Sequence, residues 1–226
     1  MNDYISILNT IPLFDSIDSK NIPEVLKKLN AFVKEYQKNE YIMHVGDPAH
    51  YIGIILQGTI HIIQDDFYGN RNITASFSEG TLFAEAFACA GAAFLPVDIL
   101  ASSDAKIMFI DSRKIFISCG KSCAYHSLLT SNLLRIVANK NIILSRKIQC
   151  ISQKTTKDKL LSYLYSQAKL QNSASFDIPF NRQGLADYLG VERSALSTVI
   201  HDLVKQGIIE TKRSNFTIIN FHPNVS

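Results

Sequence analysis

Residues 181–209, NRQGLADYLGVERSALSTVIHDLVKQGII, constrain the fold more than any other stretch of this chain. The spacing predicts a short helix over Arg182–Leu189, a turn at Gly190 and a second helix beyond it. Leu185 and Leu189 fall on one side of the first helix, and Ala186 is small where the second must cross it. Gly190 relieves the backbone at the sharp turn. In the second helix Leu196, Val199, Ile200, Leu203 and Val204 recur at three- and four-residue intervals, so that face is expected to be buried. Its first turns carry Arg193, Ser194, Ser197 and Thr198 instead, small polar groups and one arginine that leave a surface free to dock. The pair reads as a helix-turn-helix.

The flanks suit a small domain around that pair. Thr155 or Thr156 can cap a helix through Ala168, with Leu160, Leu161, Leu164 and Tyr165 on its inner side. FDIPF follows as a short strand with an edge proline. The tail IIETKRSNFTIINF reads as two strands around Lys212-Arg213-Ser214-Asn215, a hairpin wing.

The first half has another texture. A helical pattern at Ile22, Val25, Leu26 and Leu29 gives way, from about Phe32 to Ile117, to short β-branched and aromatic runs: YIGIILQ, TIHII, NITASF and AKIMFI. Turn residues separate them at Gly46-Asp47-Pro48, Tyr68-Gly69-Asn70 and Ser78-Glu79-Gly80. Evenly spaced short strands of this kind make a sandwich or a barrel. Between them FAEAFACAGAAFLPVDILA has the small residues of a helical turn packed closely on a sheet. Glu85 inside that apolar stretch needs partners, either backbone amides or a ligand.

Residues 121–152 contain no acidic residue, and Leu133, Val137, Leu144, Ile148 and Ile151 fall near heptad spacing. This predicts one long helix with an apolar stripe, suited to pairing with a symmetry mate. Charge is divided along the chain. Residues 1–120 hold 9 Lys and Arg against 14 Asp and Glu, whereas residues 121–226 hold 14 against 6. A basic second half suggests a polyanionic partner at that end.

With 46% hydrophobic and 19% charged residues, the 226-residue chain has ample material for packed cores. No run approaches the roughly 20 apolar residues of a membrane span, and the first nine residues lack a basic, apolar leader pattern. The expected location is the cytoplasm, with no membrane partner. Cysteines at 89, 119, 123 and 150 form neither a disulfide framework nor a paired zinc motif.

A helix-turn-helix joined to a strand, a wing and a basic half-chain points to double-stranded DNA. The second helix would enter the major groove by its N-terminal end, where Arg193 can grip guanine and the hydroxyls can reach bases or phosphates. Lys212 and Arg213 on the wing suit phosphate contact, and Arg182 is grouped with them as a DNA-contact candidate.

With those motifs in place, the chain resembles the CRP/FNR family of bacterial transcription regulators over nearly its full length. The resemblance rests on LQGTIHII and SEGTLFAEAF in the β-rich half, the long helix, and RQGLADYLGVERSALSTVIHDLVKQGII. It implies an α+β chain in three parts. A cyclic-nucleotide-binding-type β-roll would span 1–120, a dimerisation helix 121–152 and a winged helix-turn-helix 153–226. It further implies a homodimer that binds an inverted-repeat operator and contacts RNA polymerase, without catalysis. Base-reading positions carry over to Arg193, Ser194, Ser197 and Thr198; the last commonly holds arginine in the family.

The effector site departs from the family pattern. Glu85 of the phosphate cassette is kept, but the Arg-Ser pair that holds a cyclic phosphate is replaced by Leu95-Pro96. Leucine offers no charge and proline no N–H. Loss of a buried, charge-assisted phosphate contact costs on the order of 2–5 kcal/mol. Cyclic AMP is therefore not the expected effector, and an unidentified small molecule takes its place. Ser145, midway along the long helix, is a candidate second pocket residue. An iron–sulfur cluster is not expected, since no cysteine precedes Cys89. Haem is not expected either, although His44, His50 and His61 lie in the β-rich half. A redox-gated regulator switching through Cys119, Cys123 or Cys150 is the alternative within the same class. An enzyme carrying a regulatory β-roll is the alternative outside it, but the chain has no Gly-rich phosphate loop, metal-ligand constellation or GxSxG nucleophile.

Overall fold

A computed structural model describes residues 4–65, 71–116 and 124–219. The turn expected at Tyr68-Gly69-Asn70 and the thiols of Cys119 and Cys123 lie outside the described residues. Two compact units divide the chain, Met1–Ala138 and Asn139–Ser226.

The first unit is built on two four-stranded sheets. One runs β1 (Phe32–Tyr36), β8 (Ala105–Asp111), β3 (Tyr51–Gln57), β6 (Leu82–Phe83); the other runs β2 (Tyr41–Met43), β7 (Asp98–Ala101), β4 (Thr59–Asp65), β5 (Arg71–Ser78). Every neighbouring pair is antiparallel.

Residues along a strand point alternately to opposite faces, and β3 and β8 divide accordingly. Ile52, Ile54, Leu56, Met108 and Ile110 join a core with Leu8 of α1 (Ile5–Leu8) and Val25 and Leu26 of α2 (Ile22–Lys28). Ile55, Ile107 and Phe109 join a second core with Ile42, Ile60 and Ile99 of the other sheet. The first sheet is thus covered on both faces, which is why YIGIILQ and AKIMFI read as continuous apolar runs. Gly53 faces the inner core, where a Cβ would run into the Phe83 ring.

The four runs singled out in the sequence are β3, β4, β5 and β8, whereas β1, β2, β6 and β7 lie outside them. Within FAEAFACAGAAFLPVDILA only Glu85–Cys89 is helical (α3), and Asp98–Ala101 is strand β7. The short α4 (Arg113–Phe116) follows β8.

Helix α5 (Ala124–Ile151) runs for 28 residues. Its first half belongs to the first unit, and the expectation for its stripe needs correction there. Leu133 is buried and Val137 partly buried against the core under α1 and α2, together with Leu129. They pack on their own β domain and do not belong to an outward seam. Asn132 on the same side donates from Nδ2 to the Leu13 and Asp15 carbonyls at 3.1 and 2.9 Å. Leu134, Ile142, Leu144, Ile148 and Ile151 stay exposed.

In the second unit α6 (Thr156–Gln171) starts at Thr155, whose Oγ1 accepts from the Asp158 amide at 3.1 Å, and ends at Asn172 in the left-handed region. Its inner side differs by two residues from the sequence reading: Tyr163 is buried and Tyr165 exposed, because 160, 163, 164 and 168 share the face toward the core. β10 (Ile209–Lys212), β11 (Asn215–Ile218) and β9 (Ser175–Asp177) form a three-stranded sheet in that order, with β9 at the edge. Cys150 is buried in this unit's core among Leu160, Tyr163 and Leu164. For the redox alternative, Cys150 is therefore a covered thiol.

Candidate nucleic-acid interface

Two local devices set the geometry of the helix pair. Asn181 caps α7 (Arg182–Leu189), its Oδ1 accepting from the Gly184 amide at 2.8 Å. Gly190 sits at φ 61°, a left-handed conformation that ends α7 and that glycine adopts without steric cost. α8 (Arg193–Lys205) then begins with Arg193 as its first helical residue.

Leu185, Ala186 and Leu189 of α7 and Leu196, Ile200 and Leu203 of α8 are buried in one cluster. Burying a leucine or isoleucine side chain contributes about 1.5–3 kcal/mol, so this face holds α8 firmly. Val199 is half-buried, whereas Val204, expected inside, is exposed because it lies beyond the edge of the contact.

Arg193, Ser194, Ser197 and Thr198 are all exposed on the first two turns of α8. The Ser197 hydroxyl donates to the Arg193 carbonyl at 2.9 Å, and that of Thr198 to the Ser194 carbonyl at 3.2 Å. With their hydrogens turned back to the helix, both oxygens present lone pairs outward. His201 and Lys205, one and two turns further along, are exposed at positions that continue from Ser194 and Ser197. The sequence reading passed over them; the i, i+4 spacing from Ser197 to His201 and Lys205 was the available signal.

The wing turns at Arg213-Ser214, between the paired Lys212 and Asn215. Lys212 and Arg213 are exposed. Arg182 is placed differently. Its Nη2 donates to Thr211 Oγ1 at 2.9 Å, and its guanidinium carbon lies 4.9 Å from the Phe216 ring centroid. Burial pushes its pKa down. Asn181, Arg182, Arg213 and Ser214 line one open cavity of about 480 Å³, so the start of α7 and the tip of the wing meet there.

The two effector candidates stand in different surroundings. Glu85 is buried at the first position of α3, directly after Ala84 in the left-handed region. Nearby in sequence, Leu95 is packed into the inner core with Phe83 and Ile99, and Pro96 is exposed. The Leu95 main chain is bonded to the opposite loop, its amide donating to Asp47 O and its carbonyl accepting from Gly46 N, both at 2.9 Å. Leu95 is thus part of the hydrophobic filling between the sheets. Ser145 is exposed on α5, its Oγ 3.5 Å from Asn141 Oδ1.

The three histidines have separate neighbours. His44 stacks on Tyr41 at 4.6 Å, His50 lies against Tyr51 at 4.3 Å, and His61 sits within β4. Among the described residues no group of three His, Cys, Asp or Glu side chains is arranged to hold a metal ion, and no helix is long and apolar enough to cross a membrane.

Comparison with known proteins supports the domain architecture. A cyclic nucleotide-binding domain model matches residues 33–118, and a Crp-like helix-turn-helix domain model matches residues 158–222. Among solved structures, the c-di-GMP responsive global regulator CLP from Xanthomonas campestris is 15% identical, with a TM-score of 0.54 over 90% of this chain and 100% of that one. DNR from Pseudomonas aeruginosa is 18% identical, with a TM-score of 0.51 over 97% and 95%. At these identities the likeness is one of fold. No curated protein sequence matches the chain.

Proposed function

Since the chain belongs to the CRP/FNR family of transcription regulators, which are not enzymes, we propose that it is a cytoplasmic, homodimeric regulator that binds an inverted-repeat operator and acts on RNA polymerase at promoters. A β-roll, a dimerisation helix and a winged helix-turn-helix would divide it at about residues 120 and 152. The observation that carries the DNA-binding reading is the exposed row Arg193, Ser194, Ser197 and Thr198 on a helix whose other face is buried. An Arg at this entrance reaches O6 and N7 of one guanine, worth about 1–3 kcal/mol of discrimination. The outward lone pairs of Ser197 and Thr198 suit base amino groups. Lys212 and Arg213 serve the backbone, and Arg182, tied to Thr211 and Phe216, fixes the wing beside α7 while its remaining donors face a phosphate.

Gating is assigned to a small molecule other than cyclic AMP, on the ground that Leu95 fills the position of the phosphate-binding arginine. Glu85 and Ser145 remain the pocket candidates from the family pattern.

Selection from random DNA tests the reading. Wild type should yield a two-fold symmetric motif, and Arg193→Ala should flatten preference at one symmetric pair of positions while the dimer stays folded. An unchanged motif would make Arg193 a phosphate clamp. No motif from wild type would remove the reading altogether.

A further inference from the structure

The first unit carries a cleft that neither the DNA interface nor the nucleotide-type pocket uses. It opens between β1, β2 and the start of β3, has a volume of about 200 Å³, and is lined by Phe32, Tyr36, Tyr51 and Phe109 with Ile42 and Met43. Three of those rings form one cluster. Phe32 stacks on Phe109 at 5.3 Å, and Tyr51 meets Phe32 edge-on at 5.5 Å. Ile42, Met43 and Phe109 are buried and make an apolar floor, while Phe32 stays 37% exposed.

The rim supplies charge. Lys34 lies over the Phe32 ring, its Nζ 5.9 Å from the centroid. Among the described residues it has no carboxylate within ion-pairing distance, whereas Lys106 nearby in β8 is paired with Glu35. Asp47 and His50 also line the cleft, and Asp47 is turned to its own loop, its Oδ2 accepting from the His44 amide at 2.7 Å. The cleft therefore combines aromatic walls, an apolar floor and, on its rim, one cation without a carboxylate partner among the described residues.

We propose that this cleft binds a small molecule with a single aromatic ring and a carboxylate, the ring against the exposed part of Phe32 and the Ile42–Met43 floor and the carboxylate on Lys34. Size sets the ring count, because a dry cavity of about 150 Å³ already accepts benzene, and typical drug-sized sites begin near about 300 Å³. Ring–ring contacts are directional and favour an edge or an offset face, and the exposed part of Phe32 offers one. The lysine selects against neutral rings of the same shape.

Benzoate is the probe. Titrated into the full-length chain while the Met43 methyl resonance is followed by NMR, it should give saturable shifts with half-saturation at or below about 1 mM. Lys34→Gln should weaken binding at least about fivefold, and benzyl alcohol should bind wild type at least about fivefold more weakly than benzoate, each near 1 kcal/mol. Absence of a saturating Met43 shift up to about 10 mM would overturn the proposal. Equal binding of benzyl alcohol, or no effect of Lys34→Gln, would overturn the carboxylate assignment. DNA does not enter the measurement, so failure of operator recognition would leave this result standing.

Discussion

Arg213 occupies the left-handed region at φ 57° in the turn of the wing, a place where glycine would relax the backbone. Keeping a long cation there costs stability, which fits a residue held for contact. Arg213→Gly should therefore leave the melting temperature unchanged or slightly raised, weaken binding to all DNA sequences alike, and reduce the salt slope of binding by about one. Thermal melts and binding isotherms at several salt concentrations check both halves. Asp111 is the opposite case, a residue committed to the fold. Its carboxylate is buried and accepts from Arg113 Nε at 2.8 Å, Nη2 at 2.7 Å and the Arg113 amide at 3.1 Å. Those bonds hold its pKa below the usual carboxylate range. A carboxylate lowered in the folded state contributes stability that is full above its unfolded pKa of about 3.9 and fades as pH falls through the folded value. Asp111→Asn should cost about 1–3 kcal/mol near pH 7. The difference from wild type should shrink below about pH 4, as urea midpoints at both pH values would show.

At the scale of elements, legibility followed local chemistry. The α7–α8 pair was readable to the residue over Arg182–Leu189 because its punctuation is local: Asn181 caps, Gly190 turns, and Leu185, Leu196 and Leu203 mark one face. Helix α5 was readable as a helix but not in its partners. Leu133 and Leu134 are adjacent and equally apolar, yet one is buried under α1 and α2 and the other faces out. Sequence spacing reports that an apolar surface exists and says nothing of which neighbour covers it. The same limit exchanged Tyr165 for Tyr163 on α6 and hid the short β6 and β7 inside an alanine-rich stretch. In the cassette after Glu85, Leu95 can neither attract a phosphate nor be exposed cheaply, and it is packed in the inner core. Titration calorimetry should accordingly detect no cyclic AMP binding at micromolar concentration, and cyclic AMP should not tighten operator binding tenfold. Micromolar binding would refute this.

For the whole molecule, the outstanding surface is the exposed part of α5. Leu134, Ile142, Leu144, Ile148 and Ile151 present apolar side chains to solvent along a helix without acidic residues, with Ser145 and Asn141 set among them. Within the second unit Asn141, Ser145 and Ile148 fall on one side at four-, three- and seven-residue intervals. A stripe of this kind is costly in water and self-complementary about a two-fold axis, so it suits a second copy of the same helix. Two copies joined there would carry two α8 helices and match an inverted repeat with half-sites about one helical turn apart. Ile148→Glu places two charges against each other across such an axis, while its exposed side chain carries no load in the monomer fold. Light scattering at micromolar concentration should give a dimer for wild type and a monomer for Ile148→Glu. Circular dichroism should be unchanged, and the variant should lose the full operator while keeping weak, salt-sensitive binding to a half-site. A monomeric wild type, or a variant that remains dimeric, would assign the stripe to some other contact.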